Sequence, residues 1–323
     1  MGKITKRFNR LNLKFNQVIK ILIVAVMTII TKQGQAQHSE QIIIIDGIKT
    51  WVNVVGQGDK TPLILLHGGP GAPSYYLNPL SALSNERRVV FYDQPGCGRS
   101  YNVPDTARLT IDFFVDHLDK LRIILGFDTM YLYGQSWGST LALEYYKRYP
   151  GHVKALIFSS PLLSVERWKQ DASLLISSLS QTMQQAITLS EKTGDYSSPG
   201  YQSAVAEYYN RYVARKKPWS ADIDSTFSRF GTAVYQAMWG PSEFTVTGTL
   251  KNYDGTAQLS QIKVPLLYLS GEFDEVHPET IAWLKQFTPG AQHSLIPEAA
   301  HLTMQDNTEA DCRAIRSFLN SVP

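Results

Sequence analysis

The chain has 323 residues, 43% hydrophobic and 18% charged, enough for a substantial core in one large domain or two ordinary ones. Its formal net charge of +3 is uneven, because the first 36 residues hold seven cations and no acid, leaving 24 Lys and Arg against 28 Asp and Glu. The remainder is therefore mildly acidic and offers no basic surface for nucleic acid or an anionic membrane.

The N-terminal segment has the pattern of an export signal. A basic stretch to Lys20 precedes the apolar run from Ile21 to Ile30, and small residues follow at Gly34 and Ala36. The run is short of the ~20 residues a membrane-spanning helix needs. Residues 1–36 are thus expected to be removed, leaving Gln37 first in a periplasmic or secreted protein with no stable membrane span. The alternative is an uncleaved anchor. Cys97 and Cys312 are too few for a disulfide scaffold or a metal cluster and are expected to be free thiols.

From residue 41 onward, short apolar β-branched runs alternate with helical patterns, which predicts an α/β fold with a mostly parallel sheet and helices on both faces. The predicted strands are Gln41–Ile45, Lys49–Val55, Pro62–Leu66, Arg88–Tyr92, Met130–Tyr133, Val153–Phe158, Pro265–Leu269 and His293–Ile296. Asp46-Gly47 between the first two predicts an antiparallel hairpin. A helix is expected over Thr110–Leu125, closed by Gly126. The alternation stops between Ser164 and Asp254, a polar, helix-like stretch broken at Gly194, Ser198-Pro-Gly200 and Lys217-Pro218. A structureless loop of that length would be far outside the usual range. The expectation is a helical cap (164–254) inserted between two parts of one core (37–163 and 255–323).

The strongest local motif is Gly134-Gln-Ser136-Trp-Gly138, between a predicted strand and a helical pattern. Lifting a hydroxyl above a strand end requires a tight turn, which explains the flanking glycines, and the following helix N-terminus favours developing negative charge. Together with the α/β alternation, this predicts the α/β-hydrolase fold with Ser136 as nucleophile. The loop His67-Gly-Gly-Pro-Gly71 follows another strand and lets backbone N–H groups approach an oxyanion. The expected donors are Gly69 and Trp137, with Gly68 as second choice. In this fold the chain order is nucleophile, acid, histidine. That order selects Asp274, on the loop after one late strand, and His301, on the loop after the next. His277 and His293 suit structural roles better, and His67, His117 and His152 precede the required region.

The segments His67–Gly71, Asp93-Gln-Pro-Gly-Cys-Gly-Arg-Ser100, Gly134–Gly138, Gly271-Glu-Phe-Asp-Glu275 and the terminal His301 together resemble the proline iminopeptidase (prolyl aminopeptidase) family of α/β-hydrolases, which includes the tricorn-associated aminopeptidases. The likeness runs from about Gln41 to the C-terminus and is weak over Gln170–Ala206. It implies that Glu275, after the acid, and Glu243, within Trp239–Gly248, bind the free α-amino group of a substrate. Physically, two carboxylates place an ammonium group in a water-poor pocket better than one. The implied activity is a serine aminopeptidase that removes an N-terminal residue, preferentially proline, from small peptides through an acyl-enzyme. No metal or organic cofactor is implied, the substrate is a small peptide or aminoacyl compound, and the oligomeric state is left open. The rival readings on the same scaffold are an amino-acid amidase or a small-molecule esterase. An epoxide or haloalkane hydrolase would need a carboxylate where Ser136 stands. A non-catalytic binding protein would have no use for an intact Ser, Asp and His set.

Overall fold

The computed structural model describes residues 38–102 and 105–323, so the expected export signal lies outside the described residues. Eight strands form one sheet: β1 (His38–Ile45), β2 (Ile48–Val55), β3 (Leu63–Leu66), β4 (Val89–Tyr92), β5 (Met130–Gln135), β6 (Val153–Ser159), β7 (Leu266–Gly271) and β8 (Gln292–Ile296). Their order across the sheet is β1-β2-β4-β3-β5-β6-β7-β8. The β1–β2 hairpin and the β2–β4 pair are antiparallel, and every other pair is parallel.

The inner parallel strands β3, β5 and β7 are buried along their whole length because both faces are covered, whereas the edge strand β8 (Gln-His-Ser-Leu-Ile) is largely open. Along β5, Met130 and Leu132 join one buried cluster, together with Phe114 and Leu118 of helix α1 (Ile111–Ile124) and Leu141 and Tyr145 of helix α2 (Trp137–Arg148). Tyr131 and Tyr133, pointing the other way, join a second cluster with Leu77 and Leu80 of the 3-10 segment Ser74–Asn85. Helix α1 starts where the Thr110 side chain accepts the Phe113 N–H, and Gly126 follows it at φ +69°. Cys97 and Cys312 are buried and unpaired. No described helix is long and apolar enough to cross a membrane.

Between β6 and β7 lie α3 (Val165–Ser177), α4 (Gln181–Thr193), α5 (Pro199–Tyr208), α6 (Ala221–Ser228), α7 (Thr232–Met238) and α8 (Thr256–Leu259). The two ends of the excursion are laced together by an antiparallel bridge between Ser164 and Asp254. Serines explain much of the segment's polarity, because Ser164, Ser180, Ser198 and Ser220 each accept an N–H at the start of a helix. The excursion has its own small core, in which Ile187, Tyr201, Tyr208 and Phe244 pack together.

A buried ion pair ties the loop after β4 to the loop after β3. Asp93 is inaccessible to solvent and accepts the Ser74 N–H at 2.9 Å, the Arg99 N–H at 2.8 Å and the Arg99 Nε–H at 2.7 Å. Gly98 leaves room for this carboxylate, since a Cβ there would fall 2.4 Å from Asp93 Oδ2. Burial alone would push the Asp93 carboxyl up, but hydrogen bonds and charge from Arg99 outweigh it and hold the carboxyl below its usual range. A depressed carboxyl contributes its full stabilisation above the unfolded value and loses it as pH falls through the folded one. Asp93→Asn should therefore cost about 3 kcal/mol at neutral pH, read by urea denaturation. The gap to the wild type should close only below about pH 4.

Candidate active site

Ser136 sits between β5 and α2 with φ 54° and ψ −121°, a backbone conformation that a side chain rarely adopts. The turn survives because its neighbours hold it. Ser136 donates its N–H to the Ser159 carbonyl at 3.0 Å, and its own carbonyl accepts the Ser139 N–H at 2.9 Å. The glycines are sterically required: a Cβ on Gly134 would lie 2.2 Å from the Gly138 carbonyl oxygen, and one on Gly138 would lie 2.0 Å from that of Leu66.

The first glycine of the loop after β3 is already engaged. The Gly68 N–H donates to the Tyr76 hydroxyl at 2.7 Å, which in turn donates to Gln135 Oε1 at 2.7 Å. Gly69, at φ +107°, lines the same cavity as Ser136. Trp137 opens α2, where the first backbone N–H groups have no partner within the helix. His67 is wholly buried, and its Nε2 accepts the Gln94 N–H at 2.9 Å. Burial lowers its pKa to about 4, so the ring stays neutral and serves the packing of the loop.

Asp274 lies in the turn after β7 and His301 in the loop after β8, and the two meet. His301 Nδ1 donates to Asp274 Oδ1 at 2.9 Å. The remaining acceptor positions of Asp274 are filled by the N–H groups of Gly271 at 2.9 Å and Val276 at 3.1 Å, and by the Ser160 hydroxyl at 2.6 Å. The helical excursion grips the histidine: the His301 N–H donates to the Tyr212 carbonyl at 3.0 Å, and the Trp168 ring stands edge-on to the imidazole at 5.6 Å. His277 instead precedes helix α9 (Pro278–Phe287), and His293 on β8 pairs with the Ser270 hydroxyl at 2.9 Å.

Ser136, His301, Gly69 and Glu243 line one narrow cavity. Its other walls are mostly apolar, among them Tyr209, Val213, Ile223, Phe227 and Phe230. Glu243 is partly exposed to this space and accepts the Tyr235 hydroxyl at 3.0 Å. Glu275 is 1% exposed, lies outside the cavity wall, and has Oε2 at 3.6 Å from His301 Nδ1, beyond hydrogen-bond distance. Neither of its carboxylate oxygens has a partner in good hydrogen-bond geometry, although the buried Tyr208 hydroxyl, itself without such a partner, lies close enough to favour the charged form slightly. Among the described residues, no Lys or Arg forms an ion pair with either glutamate. Burial raises the pKa of both carboxyls, and the nearby charge of Glu243 raises Glu275 further. Two crowded carboxylates without a cation form a site suited to a cationic group. Among the described residues, no group of three or more His, Cys, Asp or Glu is placed to hold a metal ion.

Trp168, Tyr235, Ser160 and the Tyr212 carbonyl escaped sequence reasoning. The first three carry no motif, although Trp168 falls on the buried side of an amphipathic helix.

The sheet, the excursion and this cluster define an α/β hydrolase, and residues 61–308 match the family of the α/β hydrolase fold. The proline iminopeptidase of Heyndrickxia coagulans is 39% identical over 266 residues, covering 82% of this chain and 92% of that protein. The crystal structure of the proline iminopeptidase of Mycobacterium smegmatis has a TM-score of 0.80 at 31% identity, covering 88% of this chain and 98% of that one. That of VinJ gives 0.84 at 30% identity, with coverage of 88% and 99%. The chain thus belongs to the proline iminopeptidase family.

The unpaired carboxylates carry a stability consequence. A carboxyl raised above its unfolded value costs stability as pH rises through the interval between the two, and the cost persists above it. Glu275→Gln should therefore stabilise the substrate-free protein by about 1–3 kcal/mol at pH 7. That gain should vanish below about pH 3, where glutamate is protonated in both states, as thermal melts at the two pH values would read.

Proposed function

We propose that this protein is a serine aminopeptidase that releases the N-terminal residue of small peptides, preferentially proline, through an acyl-enzyme. The observation that carries the reading is the half-buried Glu243 on the cavity wall with the carboxylate of the buried Glu275 near enough to feel its charge, short of positive charge and beside the His301–Asp274 hydrogen bond. A substrate ammonium supplies the missing cation. A prolyl nitrogen, being a secondary amine, has two N–H donors when protonated, so two carboxylates can satisfy it completely. The buried apolar walls of the cavity, Val213 and Ile223, suit its ring.

The roles follow from position. The Ser136 hydroxyl attacks the scissile carbonyl while His301 takes its proton at Nε2, and Asp274 holds the imidazole in the tautomer with hydrogen on Nδ1. The oxyanion accepts the N–H groups of Gly69 and Trp137. His301 then passes its proton to the leaving amine, and water repeats the sequence on the prolyl ester of Ser136. The strained turn at Ser136 supports the first assignment, since it presents the hydroxyl clear of the strand end.

Ser136→Ala should lower turnover by ~10⁴-fold or more with the fold intact, because these residues act as one unit. A pure preparation that keeps a tenth of wild-type turnover would remove Ser136 from the mechanism. Acetylating the amine of a prolyl arylamide removes its charge and strands the carboxylates. Charge-assisted hydrogen bonds contribute about 1.5–3 kcal/mol each, so catalytic efficiency should fall at least ~100-fold. Glu243→Gln should weaken the free-amine substrate strongly and the hydrolysis of an aryl acetate little. Equal cleavage of free and acetylated substrates would favour the esterase or amidase instead.

A further inference from the structure

The cavity has one strongly polar end, where Glu243 meets the buried Tyr235, and its most exposed lining residue is Phe227, at 37%. A peptide whose N-terminus is held at Glu243 has nothing upstream of its first residue. Past the scissile carbonyl at Ser136, the rest of the chain has to leave by the open side. As the most exposed lining residue, Phe227 is the part of the wall best placed to meet the second residue on its way out.

That wall is aromatic and fixed. The ring of Phe227 stacks on Trp219, with centroids 5.3 Å apart and planes at 18°, and lies nearly parallel to Phe230 at 6.4 Å. Its helix, α6, is anchored to the oxyanion side of the site. Thr226 Oγ1 accepts the Tyr76 N–H at 3.1 Å, and just beyond the helix the Gly231 N–H donates to the Gly71 carbonyl at 2.8 Å. The Gly71 contact tolerates no side chain, because a Cβ there would fall 2.8 Å from the Gly231 carbonyl oxygen. A surface held in this way contributes its contacts without first having to be ordered.

We infer that Phe227, backed by Trp219, is a specificity-determining residue for the leaving group, selecting peptides whose second residue is aromatic. The assignment rests on the aminopeptidase reading, because it takes its direction from an ammonium held at Glu243. Aromatic pairs favour offset or edge-on packing and contribute beyond the area they bury. The expected preference for an aromatic over a small second residue is therefore about tenfold in kcat/KM.

The experiment compares the dipeptides Pro-Phe and Pro-Gly with the wild type, Phe227→Ala and Phe227→Tyr, following free proline release. The wild type should favour Pro-Phe about tenfold, Phe227→Ala should reduce the ratio to within about twofold, and Phe227→Tyr should retain it. A wild type that cleaves both dipeptides equally, or a Phe227→Ala variant that keeps the ratio, overturns the assignment while leaving the aminopeptidase intact. Equal proportional losses on both dipeptides also overturn it, since they would reflect a structural defect. If the wild type cleaves neither dipeptide but hydrolyses phenyl acetate, the aminopeptidase reading itself fails and takes this assignment with it.

Discussion

The backbone turn at Ser136 is the constraint on which the rest of the site depends. A non-glycine residue held at φ 54° stores strain, of the order of 1–3 kcal/mol, that only a crowded surrounding can maintain. The crowding is visible in the glycines. Gly138 brings α2 against the end of β3, and a Cβ on Gly68 would lie 2.4 Å from Gln135 Oε1 and 3.0 Å from the Ser136 Cβ. The loop after β3 and the turn after β5 therefore pack as one piece. The hydroxyl of Ser136 and the loop holding Gly69 are thus set near each other by close packing of the two turns, with the Gln135 side chain against Gly68.

The second constraint is electrostatic and opposes stability. Asp93 shows how this protein treats a buried carboxylate whose role is purely structural, since five hydrogen bonds reach it, three of them from Arg99. Asp274 likewise has four partners. Glu275, one residue further along and equally buried, has none in good geometry for its carboxylate oxygens. The contrast within one molecule supports the proposed role of Glu275 toward a substrate cation, because a poorly paired buried charge is otherwise among the costliest features a fold can carry.

Legibility in the sequence followed the range of the interactions. All eight strands were readable because an apolar β-branched run is a local signal, and their edges moved by only a few residues. Ser136 was readable because its turn imposes glycines within two residues of it. Asp274 and His301 needed the chain order of the fold as well, since nothing local separates His301 from His277 or His293. Glu243 came only through resemblance: its environment is made by Tyr235 and by the distant His301, and neither contact leaves a pattern in the residues around it. The preference for Gly69 over Gly68 gains support from Tyr76, whose hydroxyl occupies the Gly68 N–H from eight residues away. Trp168 and Tyr212 were hidden for the same reason, as they act on His301 from more than 80 residues upstream.

Those two long-range contacts show why the helical excursion is more than a cover. Trp168 donates its indole N–H to the Glu243 carbonyl at 2.8 Å while its ring abuts His301, so one side chain links the residue proposed to hold the amine with the proposed base. Tyr212 and Val213 accept the N–H groups of His301 and Leu302 at 3.0 and 2.9 Å, which fastens the histidine loop to the excursion by its backbone. On the opposite side, Gly231 fastens the excursion to the oxyanion loop. A shift of the excursion would therefore displace the base, the ammonium site and the oxyanion loop together. On the proposed roles, recognition of the substrate's first residue and alignment of the reacting groups become one mechanical event. Binding energy from the ammonium then bears on the geometry of the chemical step as well as on affinity.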